Sequence, residues 1–141
     1  MAAPLREPTF LILTALAREP LHGYGLIAEV AELSGGTVEL RPGTLYGALD
    51  RLTDDGLVIL DREKIVNGRA RKYYRLTERG DAALRAETER RRRTIEAATR
   101  RLADRARLRP AGGMASTSDT GSRGLWLRPA PAAIQLAGGT S

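Results

Sequence analysis

Between positions 62 and 75 the chain carries six long cations, Arg62, Lys64, Arg69, Arg71, Lys72 and Arg75. Guanidinium and ammonium groups at this density suit a polyanion, because each makes charge-assisted hydrogen bonds to phosphate oxygens. Upstream, Thr44, Gly47 and Arg51 recur at helical spacing with Tyr46 on the flank. A helix that reads duplex DNA needs small residues where its backbone approaches, hydroxyls for phosphates and a long donor for base edges or phosphates. These four residues supply all three. The same face also reads as a solvated surface, since Asp50, Asp54 and Asp55 follow it and carboxylates repel phosphate. They fall toward the C-terminal half, where a helix docked by its N-terminal end leaves the groove.

Catalytic chemistry finds no such support. There is no cysteine and a single histidine, His22, so neither a thiolate site nor an imidazole cluster can form. No nucleophile stands with a base, and no phosphate loop is followed by lysine. His22 reads as a structural residue of a first helical turn. No metal or cofactor is expected.

Charge is distributed unevenly over the 141 residues. Positions 1–61 hold four basic and nine acidic side chains, whereas 62–79 hold seven basic and two acidic. The net charge of +6 therefore reflects local basic patches rather than a uniform field. The longest apolar run, Phe10 to Ala17, falls far short of the ~20 residues of a membrane span, and no basic segment precedes it. These features predict a soluble cytoplasmic protein with one small domain plus appendages.

The elements that must position the cations follow in order. Pro8 and Pro20 bracket a short helix that is apolar nearly all round, so Phe10 and Leu13 are expected to be covered by a second subunit or by the chain's own core. Leu26, Val30 and Leu33 mark one face of a second helix, which Gly35 and Gly36 end. Tyr24, at its start, is placed either to pack or to reach a phosphate. Residues 37–40 alternate as a very short strand would. Thr44 is a plausible cap for a third helix, whose buried face is Leu45, Leu49 and Leu52 and whose stop is Gly56.

Beyond Gly56 the period changes to two, and Asn67-Gly68 predicts a two-residue hairpin turn. The implied register sets Ile59 opposite Leu76, Asp61 opposite Tyr74, Glu63 opposite Lys72 and Ile65 opposite Ala70. On the other face Leu60 meets Arg75, Arg62 meets Tyr73, Lys64 meets Arg71 and Val66 meets Arg69. Like charges directly opposite destabilise a hairpin, so Lys64 against Arg71 points to a splayed, solvated tip or to a polyanion there. The fold class is mainly α with a small β-hairpin, a winged helix-turn-helix.

The segments HGYGLIAEV, PGTLYGALDRLTDDGLV and GRARKYYRLTERG resemble the PadR family of bacterial transcriptional regulators, in the expected order and spacing, over roughly Phe10 to Leu84. The resemblance implies a homodimeric repressor that binds a palindromic operator in double-stranded DNA and is released by a small effector, hydrophobic or aromatic. By position, Tyr24, Thr44 and Tyr46 look like the family's phosphate-contacting residues, Gly43 like its close-approach glycine, and Arg71 and Lys72 like its wing residues. A winged-helix module used only for protein contacts is the alternative.

The resemblance also implies a C-terminal dimerisation helix from Thr77 onward. Glu78 to Leu108 is strongly helix-forming, with Leu84, Ile95 and Leu102 on a seam interrupted by Arg91 and Arg105 and lacking aromatic residues. Arg90 to Arg93 spread around such a helix and read as a solvated face. The expected organisation is a DNA-binding domain over 1–80, a dimerisation helix over 81–109 and a disordered tail over 110–141 that contains Trp126.

Overall fold

The structure, a computed structural model, describes residues 3–109. The expectations for the tail and Trp126 lie outside the described residues. Seven elements follow in order: α1 (Glu7–Arg18), β1 (Leu21–His22), α2 (Gly23–Leu33), α3 (Pro42–Asp54), β2 (Val58–Val66), β3 (Arg69–Leu76) and α4 (Glu78–Leu108). The strands form one antiparallel sheet in the order β1-β3-β2. This is a mainly helical winged helix with a long C-terminal helix.

The core lies where α1, α2 and α3 meet the base of the hairpin. Ile12, Leu13, Leu26, Val30, Leu45, Leu49 and Val58 are its largest fully buried side chains. In α3 the buried set Leu45, Ala48, Leu49 and Leu52 forms the single apolar stripe that its sequence period requires. Leu33, expected on the inner face of α2, is half-exposed in the last turn, where the chain leaves the core.

The first helix corrects an expectation. Leu11, Ile12, Leu13, Ala15 and Leu16 are all buried within a single chain, because α1 packs against α2 on one side and β3 on another. Its nearly all-round apolar character is thus satisfied by its own domain. Leu13 is fully buried there and has no surface to offer a second subunit.

No strand forms over 37–40: the chain turns at residues 34–36 and then runs to Leu40 without regular structure. Gly35 and Gly36 take positive φ, 64° and 87°, and the Ser34 hydroxyl accepts the Val38 N–H at 3.0 Å. A backbone donor captured in this way is lost to a ladder. Thr44 does not cap α3. Pro42 occupies the first turn, where its missing N–H costs nothing, and Arg41 is the N-cap with no side-chain cap bond.

The hairpin turn forms as its sequence predicts, with Asn67 at φ 54° and Gly68 at 77°. From Val66↔Arg69 down to Arg62↔Tyr73 the expected register holds. Below that a bulge leaves Asp61 unpaired, so Leu60 faces Tyr74, Ile59 faces Arg75 and Val58 faces Leu76. The pairs predicted for Ile59 and Leu60 are therefore each displaced by one residue, and Asp61 loses its predicted partner. The bulge places the Asp61 carboxylate 2.6 Å from Arg62 and 3.1 Å from Arg75, while the strand base turns Val58 into the core.

Two compact units divide the chain, Met1–Ala97 and Ala98–Ser141. The first extends well into α4 because its early turns are tied to the rest. Thr77 Oγ1 accepts the Gly80 N–H at 2.9 Å, capping α4, and its hydroxyl donates to Gly56 O at 2.6 Å. Further along, Glu87 accepts the Leu5 N–H at 3.1 Å, and Arg91 binds both Glu87 and Glu7 at 2.7 Å.

Candidate nucleic-acid interface

The outer face of α3, the start of α2 and the hairpin bound a cleft of about 710 Å³. Tyr24 and Tyr46 line it from the two helices, Arg69, Arg71 and Lys72 line it from β3, and His22 lines it from β1. Tyr24 is 72% exposed and Tyr46 44%, so both side chains are accessible from the cleft. The lining contains three cations and no carboxylate, which makes the cleft a site for anions.

The positions of the two aromatic rings have different origins. Tyr46 packs its hydroxyl end against Gly23, where an added Cβ would overlap the hydroxyl and lie 2.9 Å from Cζ. Gly23 therefore admits the Tyr46 ring into the cleft. Tyr73, half-buried in β3, organises the wing. Arg62 lies over its ring at 4.4 Å, Lys64 Nζ is 5.7 Å from the centroid, and the His22 ring is 5.2 Å away at 57°. An aromatic face attracts cations, so Tyr73 gathers two wing charges on one side of the hairpin.

Other sequence-predicted residues fall outside the cleft lining. Gly43, Thr44 and Arg51 are exposed along α3 and Gly47 half-exposed, with open space around Gly43 and the Arg51 guanidinium 3.8 Å from a Cβ built on Gly47. This face of α3 is open to solvent. Arg75 is not part of the group. It is bound to Asp61 and lines a separate cleft with Leu16, Pro20 and Asp81.

Of the expected dimer residues, Leu84 packs partly against the core, and Arg91 covers Phe10, 3.9 Å from the ring centroid. Ile95 and Leu102 are each 64% exposed. Arg90, Arg92 and Arg93 form a solvated face, as the spacing predicted, while Arg91 turns inward, and each guanidinium is held by a carboxylate of Glu87, Glu89, Glu96 or Glu7.

Two groups of the sheet titrate away from their ordinary values. Burial, then the Arg71 guanidinium, hold the His22 imidazole below its ordinary value. Burial, with Tyr46 and Asp50 beside it, pushes the Tyr74 phenol up. His22 and Tyr73 were missed as site residues by sequence reasoning. The signal for Tyr73 was an aromatic residue among the wing cations, whereas nothing in the sequence around His22 marked it.

Comparison with known proteins decides the family. The model of the transcriptional regulator PadR-like family matches residues 12–86, more than half of the chain. The chain belongs to the PadR-like family. Members of this family are transcriptional regulators, not enzymes.

Among curated PadR-like relatives, the transcriptional regulator Rv3488 of Mycobacterium tuberculosis is 44% identical over 73 residues, covering 52% of this chain and 64% of that protein. The transcriptional regulator YqjI of Escherichia coli is 34% identical over 74 residues, covering 52% of this chain and 34% of that one. The chain thus spans less than two thirds of either relative. Among solved structures, Bacillus subtilis PadR in complex with operator DNA is 28% identical with a TM-score of 0.52, covering 57% of this chain and 46% of that one. A PadR family regulator from Clostridium difficile gives 27% and 0.55, covering 69% and 99%.

The matched span of the PadR-like model runs from α1 into α4 and so includes every residue of the cleft. Among the described residues no helix is long and apolar enough to cross a membrane, and no cluster of three metal-ligating side chains occurs.

Proposed function

We propose that this PadR-like protein is a homodimeric repressor that binds a palindromic operator in double-stranded DNA. The carboxylate-free cationic cleft between α3 and the wing carries the reading, and the similar Bacillus subtilis protein was solved with operator DNA. Each subunit lays the segment from Thr44 to Leu52 in a major groove while the wing follows the backbone. Tyr24, Thr44 and Tyr46 contact phosphates, Gly43 and Gly47 allow close approach, and Arg51 reaches a base edge or phosphate. Arg71 and Lys72, with Arg62, Lys64 and Arg69, neutralise the backbone. Twofold symmetry sets the half-sites about one helical turn apart. The exposed Ile95 and Leu102 of α4 contribute to the subunit seam, and a small hydrophobic or aromatic effector releases the DNA by rotating the two reading heads.

Binding to the promoter region of its own gene is expected to weaken with salt at a slope of about −0.9 per neutralised phosphate. Arg71→Ala together with Lys72→Ala should weaken every sequence alike and flatten that slope by about two per subunit. Titration of labelled duplexes at several salt concentrations measures both. Equal affinity for the promoter and for random duplex would remove the operator reading.

The exposed Asp50, Asp54 and Asp55 favour a second reading, a protein-docking module. It predicts that Arg71→Ala and Lys72→Ala leave regulation intact in a reporter strain.

Gly23→Ala separates binding from folding. The new methyl displaces the mobile end of Tyr46 rather than backbone, so thermal stability should change by less than about 1 kcal/mol. DNA affinity should fall about three- to tenfold, the equivalent of one neutral hydrogen bond. Melting curves and binding titrations on the same preparation test the pair of outcomes.

A further inference from the structure

The lining of the cationic cleft includes a group that the proposed function leaves unused. His22 is half-buried in β1, its backbone paired with Tyr73 and its ring tilted over the Tyr73 ring. It precedes α2 without making a side-chain cap bond. Gly25 sits against the imidazole edge, where a Cβ would come within 3.3 Å of Cε1 and 3.4 Å of Nδ1.

We propose that His22 is a proton-linked phosphate contact, whose imidazole takes up a proton when DNA enters the cleft, so that affinity rises as pH falls. The inference rests on the DNA-binding reading above and deepens it. Its basis is the company the ring keeps. From β3 the cleft presents Arg69, Arg71 and Lys72, and from β2 Arg62 and Lys64 reach the far partner of the stack, Tyr73. The helices contribute only the hydroxyls of Tyr24 and Tyr46.

With positive charge on these sides and no carboxylate in the lining, the free protein disfavours a charged imidazole. A phosphate in the cleft reverses that balance, because an opposite charge within about 4–6 Å favours the protonated ring. Protonation then adds one donor and one positive charge to the grip. Linkage requires that whatever DNA does to the proton affinity of His22, the proton does to DNA affinity.

Because His22 is the only histidine in the chain, the experiment is direct. Imidazole is the side chain whose ordinary titration falls between about pH 5 and 8. Full-length protein is titrated with a random-sequence DNA duplex at constant ionic strength across that range, as wild type and as His22→Gln. Wild-type affinity should rise about five- to tenfold toward the acid end, a tenfold change corresponding to about one unit between the bound and free midpoints. The His22→Gln variant should show a flat profile. In parallel, the single imidazole resonance should titrate at a higher pH in the complex than in the free protein.

A flat wild-type profile, an equal slope in His22→Gln, or an unmoved imidazole midpoint each overturns the proposal. Those outcomes leave the DNA-binding reading standing, provided that binding itself is salt-dependent. Absence of salt-dependent binding at every pH overturns both.

Discussion

Gly80→Ala should lower stability by about 3 kcal/mol or more, among the larger effects available to one methyl group. Gly80 is buried at the start of α4. A Cβ built on it overlaps the Leu57 carbonyl oxygen and lies 3.0 Å from the carbonyl carbon and 3.1 Å from Leu76 Cδ2. Neither backbone partner can swing aside. Leu57 O accepts the Thr77 N–H at 3.1 Å, Leu57 N–H donates to Leu52 O at 2.9 Å, and Thr77 also holds Gly56.

The methyl must therefore separate α4 from the turn after α3 and break the bonds that join them. A loss of this size corresponds to a melting decrease on the order of 15 °C for a domain near 100 residues. Gly43→Ala is the matched control. Gly43 has open space around it in the first turn of α3, so alanine there should be neutral or slightly stabilising. Equal melting temperatures for the Gly80→Ala variant and wild type would show that the junction is compliant.

The second large effect is expected at Glu87, which is 4% exposed and the one buried charged residue among those described. Burial by itself would raise its carboxyl. Hydrogen bonds from Arg91, the Leu5 N–H and Arg90 outweigh burial and hold it below the usual carboxylate range. Glu87→Gln keeps the shape but removes the charge that Arg91 and Arg90 share.

Breaking a buried pair costs about 3–5 kcal/mol. Here Arg91 keeps Glu7 and is partly exposed, so a loss of about 2 kcal/mol is expected. Linkage sets the pH dependence. A depressed folded-state value means that stability is present above the unfolded carboxyl value of about 4.3 and is lost as pH falls through the folded one. The wild-type advantage over Glu87→Gln should thus be full at neutral pH and shrink in acid. Denaturant midpoints of both proteins across that range test it, and a constant difference would remove Glu87 as the source.

Position in sequence explains part of the Glu87 interaction and fold explains the rest. Glu87, Arg90 and Arg91 lie at i, i+3 and i+4, so their pairing on one face of α4 is readable from spacing. That the same carboxylate also anchors Leu5, 82 residues away, is not. Spacing likewise led to a solvated arginine face, which holds for Arg92 and Arg93, whereas Arg91 turns inward over Phe10.

Local patterns sufficed where the physics is local. The stripe of Leu45, Leu49 and Leu52, the Asn67-Gly68 turn and the bounds of α4 follow from periods and backbone preferences that operate within a few residues. So does the concentration of cations between Arg62 and Lys72, and the motifs around them were enough to point to the PadR-like family. Tertiary structure decided what depends on two distant segments competing for one space. It buried Leu13 in its own core, inserted the Asp61 bulge so that Val58 could turn inward, and set Arg75 in a separate cleft, paired with Asp61. It also brought β1 beside β3, setting the His22 ring against Tyr73 in the lining of the cationic cleft. Those outcomes are set by packing and charge pairing between distant segments, which no window along the chain contains.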